Sequence, residues 1–586
     1  MKNLIVYICL LVLCVSCNQT DKKVDNIRTF AKVYGYVRWF YPGDEASQTD
    51  WNKFAVYGVR KVENARNQKE LKEILSELFK PIAPALQIVD ENENINFNLK
   101  SITPNHTSGL DCIFWMHNGV YLGPKSNIYS SIRYNRDTTG LIKMFINHDL
   151  KVGEFIKKYI GNGLVVTMPL ALYGNNKQTF PVADRLSLKQ LQFNLHQIAD
   201  TALKTTDYTV KLANVVIAWN VLEHFYPYFD VVHVDWNKEL LLTLHNVYTG
   251  VTEPDYFISL SKMVASLEDG HGVVFAEKIE QWSFPFKVDL IQNKVIITAS
   301  SDYSMFRKGD IIISIDGKSA REELQAQESL ISGSSGLKRY RALNMFGSDF
   351  SKSKAHFKIM RSGKEIKIET TRQTRCNLFF NPLFEGFKSD FIDLGDSLYY
   401  MNNYPWKDKG VMEKLVNAKG IIINHLVDSN STEFISHIIK KPVWCAKWNI
   451  PINTYPDRMK TFFDTSGRWS IEPKKPFINA KLIFLTHPYN VSSGETLLGI
   501  LDNYKLGKLV GDTTAATNGN VNFINLMGGY NIMWTGMKVL KHDGSQHHLI
   551  GFRPDYPVNR TIKAIEEGRD DYFEKAKSML QEEVKK

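Results

Sequence analysis

The sequence predicts a multidomain α+β chain, with a duplicated N-terminal helical unit and a β-rich insert, then a small β-domain, then a C-terminal α/β core. Three observations carry this reading. Phe40-Tyr41-Pro42 and Asp50-Trp51-Asn52-Lys53 recur as Phe225-Tyr226-Pro227 and Asp235-Trp236-Asn237-Lys238, both at one offset of 185 residues, which marks a duplicated unit. Over 308–318 a Gly-Asp turn enters an apolar run and an Asp-Gly turn leaves it, the pattern of a strand between tight turns. From 397 onward short apolar runs alternate with helical patterns, as in an α/β core. A chain of 586 residues has room for about three or four domains.

Composition excludes several classes. Hydrophobic residues make up 44% and charged residues 23%, so the chain is neither disordered, collagen-like nor a coiled coil. The net charge of +10 is dispersed, without a basic block interleaved with aromatics, and nucleic acid is not an expected partner. Past residue 16 no apolar run approaches the ~18 residues of a membrane span.

Residues 1–17 read as a targeting segment. Lys2 precedes an apolar stretch from Leu4 to Val15, the length of a signal-peptide core. Val15-Ser16-Cys17 resembles a bacterial lipobox, which implies that Cys17 carries lipid and becomes the mature N-terminus; Cys14 stands where that motif usually has Leu. A plain secretory peptide is the alternative. Either way export to a bacterial cell envelope is expected, and with the lipid, anchoring in the periplasm or at the outer membrane. Cys112, Cys376 and Cys445 are too widely spaced for a disulfide framework or a zinc site, and neither a metal nor an organic cofactor is expected.

The first helical unit is read over 24–95, the insert over 96–200 and the second unit over 205–282, with amphipathic helical patterns at 53–80 and 238–267. The aromatics of the repeat read as core. The copies differ at their ends. The second runs Leu267-Glu268-Asp269-Gly270-His271-Gly272, the first Lys80-Pro81-Ile82-Ala83-Pro84 without a His. A helix stopped by Gly leaves the next side chain at a domain edge, although His271 by itself reads as structural. The stretch 283–375 has strand patterns at 294–298, 311–315, 355–360 and 364–370 and a helical one at 321–331. It resembles a PDZ domain, a kind that binds extended peptide ends by strand addition.

In the core, 376–586, strands at 420–423, 481–485 and 509–510 alternate with helical patterns at 432–440 and 494–504. The junction after the second strand is Asn490-Val491-Ser492-Ser493-Gly494-Glu495-Thr496. A Ser at a helix mouth faces backbone N–H groups that can hold an oxyanion; the same spacing is also that of a capping box.

Taken in order, the Asp-Gly-His helix exit, the PDZ-like stretch, Ser-Ser-Gly-Glu, Gly511-Asp512-Thr513-Thr514, Asp543-Gly544, Gly551-Phe552-Arg553-Pro554-Asp555-Tyr556-Pro557-Val558 and Gly568-Arg569-Asp570 resemble the S41 peptidases, the tail-specific or C-terminal processing proteases, over about 205–580. The resemblance implies a catalytic core of the ClpP/crotonase type. It implies Ser492 as nucleophile and the Ser493 N–H as an oxyanion donor, with a second donor at Val427, where Asn424-His425-Leu426-Val427 departs from the family's Asp-x-Arg-Gly. One branch uses a Lys base in the loop after Gly-Asp-x-Thr; that place is Thr517 here. The tricorn-like branch uses a His before the PDZ domain, which matches His271. Asp269 and His548 are candidates for orienting it, and Glu495 is a supporting residue. The implied function is a serine peptidase acting on peptides or proteins through their C-terminal ends, with a catalytically impaired peptide-binding envelope protein as the alternative.

Overall fold

The computed structural model describes every residue except 1, 94–97, 124–127, 135–149, 176, 380–389, 403–404, 425–430 and 586. The first helical copy comprises α1 (Lys2–Phe40), α2 (Trp51–Val62), α3 (Gln68–Phe79) and β1 (Gln87–Asp90). The insert supplies β2 (Asp111–Asn118), β3 (Ser130–Tyr134), β4 (Phe155–Gly161), β5 (Leu164–Pro169), β6 (Ala171–Gly174) and α4 (Arg185–His196). The second copy comprises α5 (Tyr208–Phe225), α6 (Trp236–Thr249), α7 (Glu253–Ala265) and β7 (Val273–Ala276).

The duplication is longer than the two sequence matches. α1 and α5 both stop at the Phe of Phe-Tyr-Pro, because the residue before a proline is driven out of the helical region; Tyr226 has ψ 122°. α2 and α6 both begin behind an Asp cap. Asp50 accepts the Lys53 N–H at 3.1 Å and Asp235 the Lys238 N–H at 3.0 Å. Asn67 caps α3 and Thr252 caps α7, the latter with Asp255 in a reciprocal capping box. Those caps explain why the patterns at 53–80 and 238–267 each fold as two helices, since a side chain that takes the first free N–H groups starts a helix where it stands.

Each copy then adds a strand to the second strand of an antiparallel hairpin. β1 pairs with β5 of the β4–β5 hairpin, which turns at Asn162-Gly163 with φ 51° and 66°, the left-handed pair a two-residue hairpin turn requires. β7 pairs with β21 (Tyr530–Thr535) of the hairpin it forms with β20 (Val521–Leu526). Even the latches correspond. Thr29 on α1 accepts from Asn162 in the first hairpin turn, and Asn214 on α5, 185 residues later in sequence, exchanges two bonds with the Met527 backbone in the second. The copies pack together, with Phe40 stacked on Phe225 at 6.0 Å. One hydrophobic core runs through both and takes in Ile524, Ile532 and Trp534 of the second hairpin.

The middle unit is an antiparallel sheet of β8 (Phe286–Ile291), β9 (Lys294–Ser300), β10 (Ile311–Ile315), β11 (Lys354–Arg361) and β12 (Lys364–Thr371), in the order β12-β11-β10-β9-β8, with α8 (Ala320–Glu328) and α9 (Ser335–Asn344). β10 is the run between the two turns read from sequence. Asp310 at its entrance is buried and gripped by two of the Arg361 nitrogens, Nε and Nη2, at 2.8 and 2.7 Å.

The C-terminal core is a mixed sheet of β13 (Phe391–Asp393), β14 (Leu398–Met401), β15 (Gly420–Ile423), β18 (Lys481–Thr486), β19 (Lys508–Gly511) and β23 (Tyr556–Pro557), in that order, parallel except for the first pair. α10 (Ser431–Ile438), α11 (Ser493–Asn503) and α12 (Asp571–Lys585) accompany it. A hairpin of β16 (Trp448–Asn453) and β17 (Phe462–Asp464) leaves the core and pairs with β2 of the insert and with β22 (Lys538–Val539). Insert and core therefore share a sheet. The hairpin tip docks on the insert and the second helical unit, where Asp457 meets Lys158 of β4 at 2.6 Å and donates its N–H to His224 Nδ1 of α5 at 3.1 Å.

Candidate active site

Ser492 stands between β18 and α11 with φ 57° and ψ −119° and makes no side-chain cap bond. A non-glycine residue in this region is strained. The strain is held by a bond from the Ser492 N–H to the Thr517 carbonyl at 2.8 Å and by the Thr496 N–H on the Ser492 carbonyl at 3.0 Å. The capping-box reading of this segment fails. Glu495 does not reach back to Ser492 but turns into the interior, where it is fully buried. It accepts the Ala516 N–H at 2.9 Å, the Thr517 N–H at 2.7 Å and the Thr514 hydroxyl. His547 Nε2 lies 3.2 Å from the same carboxylate. Glu495 thus fastens the Gly-Asp-Thr-Thr loop to the helix that follows Ser492.

His271 arrives from the other side, on the loop between α7 and β7. Its Nδ1 is 2.9 Å from Thr535 Oγ1, and the Thr535 hydroxyl donates to Asp269 Oδ1 at 2.6 Å. Asp269 also accepts the His271 N–H at 3.0 Å and the Thr535 N–H at 2.6 Å. A hydroxyl that gives its proton to a carboxylate must accept from the imidazole, so Nδ1 carries the proton and Nε2 presents a lone pair. Burial pulls the imidazole down to about 4, with the Arg341 guanidinium acting in the same sense and Glu495 opposing. His271 is therefore neutral at ordinary pH, the protonation state of a base.

The Asp-Gly-His loop is clamped from three elements. Ser332 accepts the Asp269 N–H at 2.8 Å, Thr517 Oγ1 accepts the Gly270 N–H at 3.1 Å, and Arg341 on α9 donates to the Gly270 carbonyl at 2.7 Å. Ser332 and Arg341 belong to the middle unit, which is in this way built into the site. The Ser492 and His271 side chains are not hydrogen-bonded to each other among the described residues; such bonds commonly tighten only on substrate binding.

Of the residues singled out from sequence, Ser492, Ser493, Glu495, Asp269 and His271 belong to one network of loops. Asp269 reaches His271 through Thr535. His548 does not bond His271; it stacks on Tyr228 at 4.0 Å, with Nε2 3.5 Å from the Tyr226 hydroxyl. Burial holds it down at about 4. Val427 lies outside the described residues, and of the Cys17 side chain nothing is described. Sequence reasoning missed Thr535, Thr517, Ser332 and Arg341. Thr535 is a strand residue with no motif around it. Thr517 was noticed only as a place without a lysine. No cluster of three or more His, Cys, Asp or Glu suited to a metal occurs among the described residues.

Residues 438–558 match the family model of Peptidase family S41. No curated protein matches the chain significantly. Among solved structures, mature CPAF complexed with lactacystin is similar over 64% of this chain and 99% of its own, at 14% identity and a TM-score of 0.54. Mature CPAF alone covers 64% and 98%, at 14% identity and 0.53. At that identity the likeness is one of fold.

Proposed function

We propose that this chain, whose residues 438–558 match the family model of Peptidase family S41, is a serine peptidase in which Ser492 is the nucleophile and His271 the general base. The observation that carries the reading is the relay Asp269–Thr535–His271, which leaves Nε2 as the acceptor on the imidazole of a loop tied through Thr517 to the Ser492 turn.

The reaction follows from these positions. Nε2 takes the Ser492 hydroxyl proton as Oγ bonds to the substrate carbonyl carbon. The imidazolium that forms is held by the Thr535 hydroxyl, with the buried Asp269 carboxylate behind it. The Ser493 N–H, at the positive end of α11, and a donor from the loop near Val427 would hold the oxyanion. When the tetrahedral species collapses, the C–N bond breaks and Nε2 returns its proton to the leaving amine. Water then attacks the acyl carbon and gives a proton to Nε2; the C–Oγ ester bond breaks, Nε2 returns that proton to Ser492 Oγ, and the carboxylic acid product leaves. The sheet β8–β12 with α8 and α9 would act as a PDZ-like unit that presents the C-terminal end of a substrate chain. The N-terminal segment would export the protein and anchor it through Cys17.

A fluorophosphonate probe, which bonds to activated serines, tests the assignment on protein lacking residues 1–17. The parent should label, and Ser492→Ala and His271→Ala should not. A folded parent that stays unlabelled would overturn the reading in favour of a peptide-binding scaffold. Labelling that survives in His271→Ala would leave the nucleophile and remove the base.

A further inference from the structure

We infer that Thr517 is a positioning residue that sets the register between the nucleophile and the base, an inference that rests on the serine-peptidase reading above. Its three polar groups face three different parts of the site. The Thr517 N–H donates to Glu495 at 2.7 Å, its carbonyl accepts the Ser492 N–H at 2.8 Å, and its hydroxyl oxygen accepts the Gly270 N–H at 3.1 Å. The residue is fully buried, so water does not substitute for any of these bonds.

The arrangement is a closed ring. Glu495 lies in the first turn of α11, one turn from Ser492, and holds the 514–517 loop by three bonds. That loop holds the Ser492 backbone in its strained conformation, and across 247 residues of sequence it holds the loop that carries His271. The approach is as close as the backbone allows. A Cβ at Gly270 would sit 2.3 Å from Thr517 Oγ1, 2.6 Å from Leu337 Cδ2 and 2.8 Å from Thr517 Cβ, so the glycine of Asp-Gly-His is required by the close packing of Thr517 and Leu337 against it. Thr535 and Asp269 set the tautomer and tilt of the imidazole. Neither bonds Ser492; the bond from Gly270 to Thr517 is the direct link between the two loops, and Ser332 and Ser334, which hold Asp269 and the Ala515 carbonyl at 2.8 Å each, tie them a second time through the middle unit.

The test separates the hydroxyl from the backbone. Thr517→Val keeps the shape and both backbone bonds and removes only the acceptor for Gly270, while Thr517→Ser restores it. With a peptide substrate, kcat should fall about 10- to 100-fold in the valine variant, as misplacement by a fraction of an ångström does. KM should stay within about twofold, and the serine variant should recover most of the loss. Fluorophosphonate labelling should slow in step. A second readout needs no catalysis: diethyl pyrocarbonate should modify His271, read by mass spectrometry, several times faster in Thr517→Val than in the parent or Thr517→Ser. Parental labelling and parental His271 reactivity in the valine variant would overturn the inference. So would equal losses in both variants that track a common fall in Tm, since that is the signature of packing. A parent that does not label at all removes the peptidase reading instead, and the His271 reactivity then decides by itself whether Thr517 holds that loop.

Discussion

The two copies of the helical unit share their caps, their Phe-Tyr-Pro stops, their terminal strands and their hairpin latches, yet only one of them ends in chemistry. Where the second copy exits α7 through Asp269, Gly270 and His271, the first exits α3 through Pro84, Ala85 and Leu86, and Ala85 and Leu86 are buried in the common core. The hairpins differ in the same way. Thr535 in β21 bonds His271 and Asp269, while in β5 the buried Thr167 hydroxyl has no partner among the described residues. The duplicated scaffold supplies position only. What converts one copy into a site is a few polar side chains whose bonds close on one another, in a place where the twin has apolar packing.

The comparison can be broken most severely at its chemical end. Ser492→Ala, or His271→Leu to imitate the first copy, should lower kcat/KM for peptide hydrolysis by about 10⁴-fold or more, as loss of one member of such a set does.

Acid should act next, on both copies at once. Burial holds His117 at about 4 and His224 at about 3 at the first-copy interface, and His271 and His548 at about 4 near the site. An unfolded chain binds those protons near pH 6.5, so stability is full above that value and falls as pH drops toward 4. Each imidazole accounts for a loss of up to about 3 to 5 kcal/mol at the acid limit, His224 the most. Glu223, pushed up to about 7 by burial, works in the opposite sense and recovers part of the loss. Urea titrations at pH 7 and pH 5 should show a net fall of a few kcal/mol; equal midpoints would contradict the buried neutral state of these histidines.

Thr535→Val should cost about 10²-fold in kcat with little change in KM, because the relay acts on the imidazolium of the transition state. In the other hairpin, Thr167→Val should leave kcat alone and hold or raise Tm, since it removes a buried hydroxyl that has no partner among the described residues. The latches give the smallest contrast. Thr29→Ala and Asn214→Ala should each cost about 1–2 kcal/mol in thermal or urea unfolding, but only Asn214→Ala should also lower turnover, because its hairpin carries Thr535.

Much of this layout was legible in the chain. The repeat was visible through Phe-Tyr-Pro and Asp-Trp-Asn-Lys because those residues perform local work, stopping one helix and capping the next. The strand between two turns at 311–315 was legible for the same reason, as was the strand-to-helix junction at Ser492. The full length of the duplication was not. Thr29 and Asn214 are different residues that do the same work, and β1 and β7 share only one Val, Val89 and Val274, at the common offset. The orienting group of His271 was equally hidden. Asp269 was a candidate by proximity, but the hydroxyl between them belongs to a strand residue with nothing in its neighbourhood to mark it.

The sequence by itself determined local pieces, the stops and caps that Phe-Tyr-Pro and Asp-Trp-Asn-Lys set, which short runs are apolar enough to be buried strands, and that a Ser would stand at a helix mouth. These depend on neighbours a few residues apart. Only the tertiary structure decided that the Ser would face a base and that the base would hold the right tautomer. Those outcomes need Thr535 at 264 residues from His271 and Thr517 at 247 from Gly270, and no short-range pattern encodes a hydrogen bond whose two ends meet only after the core has closed.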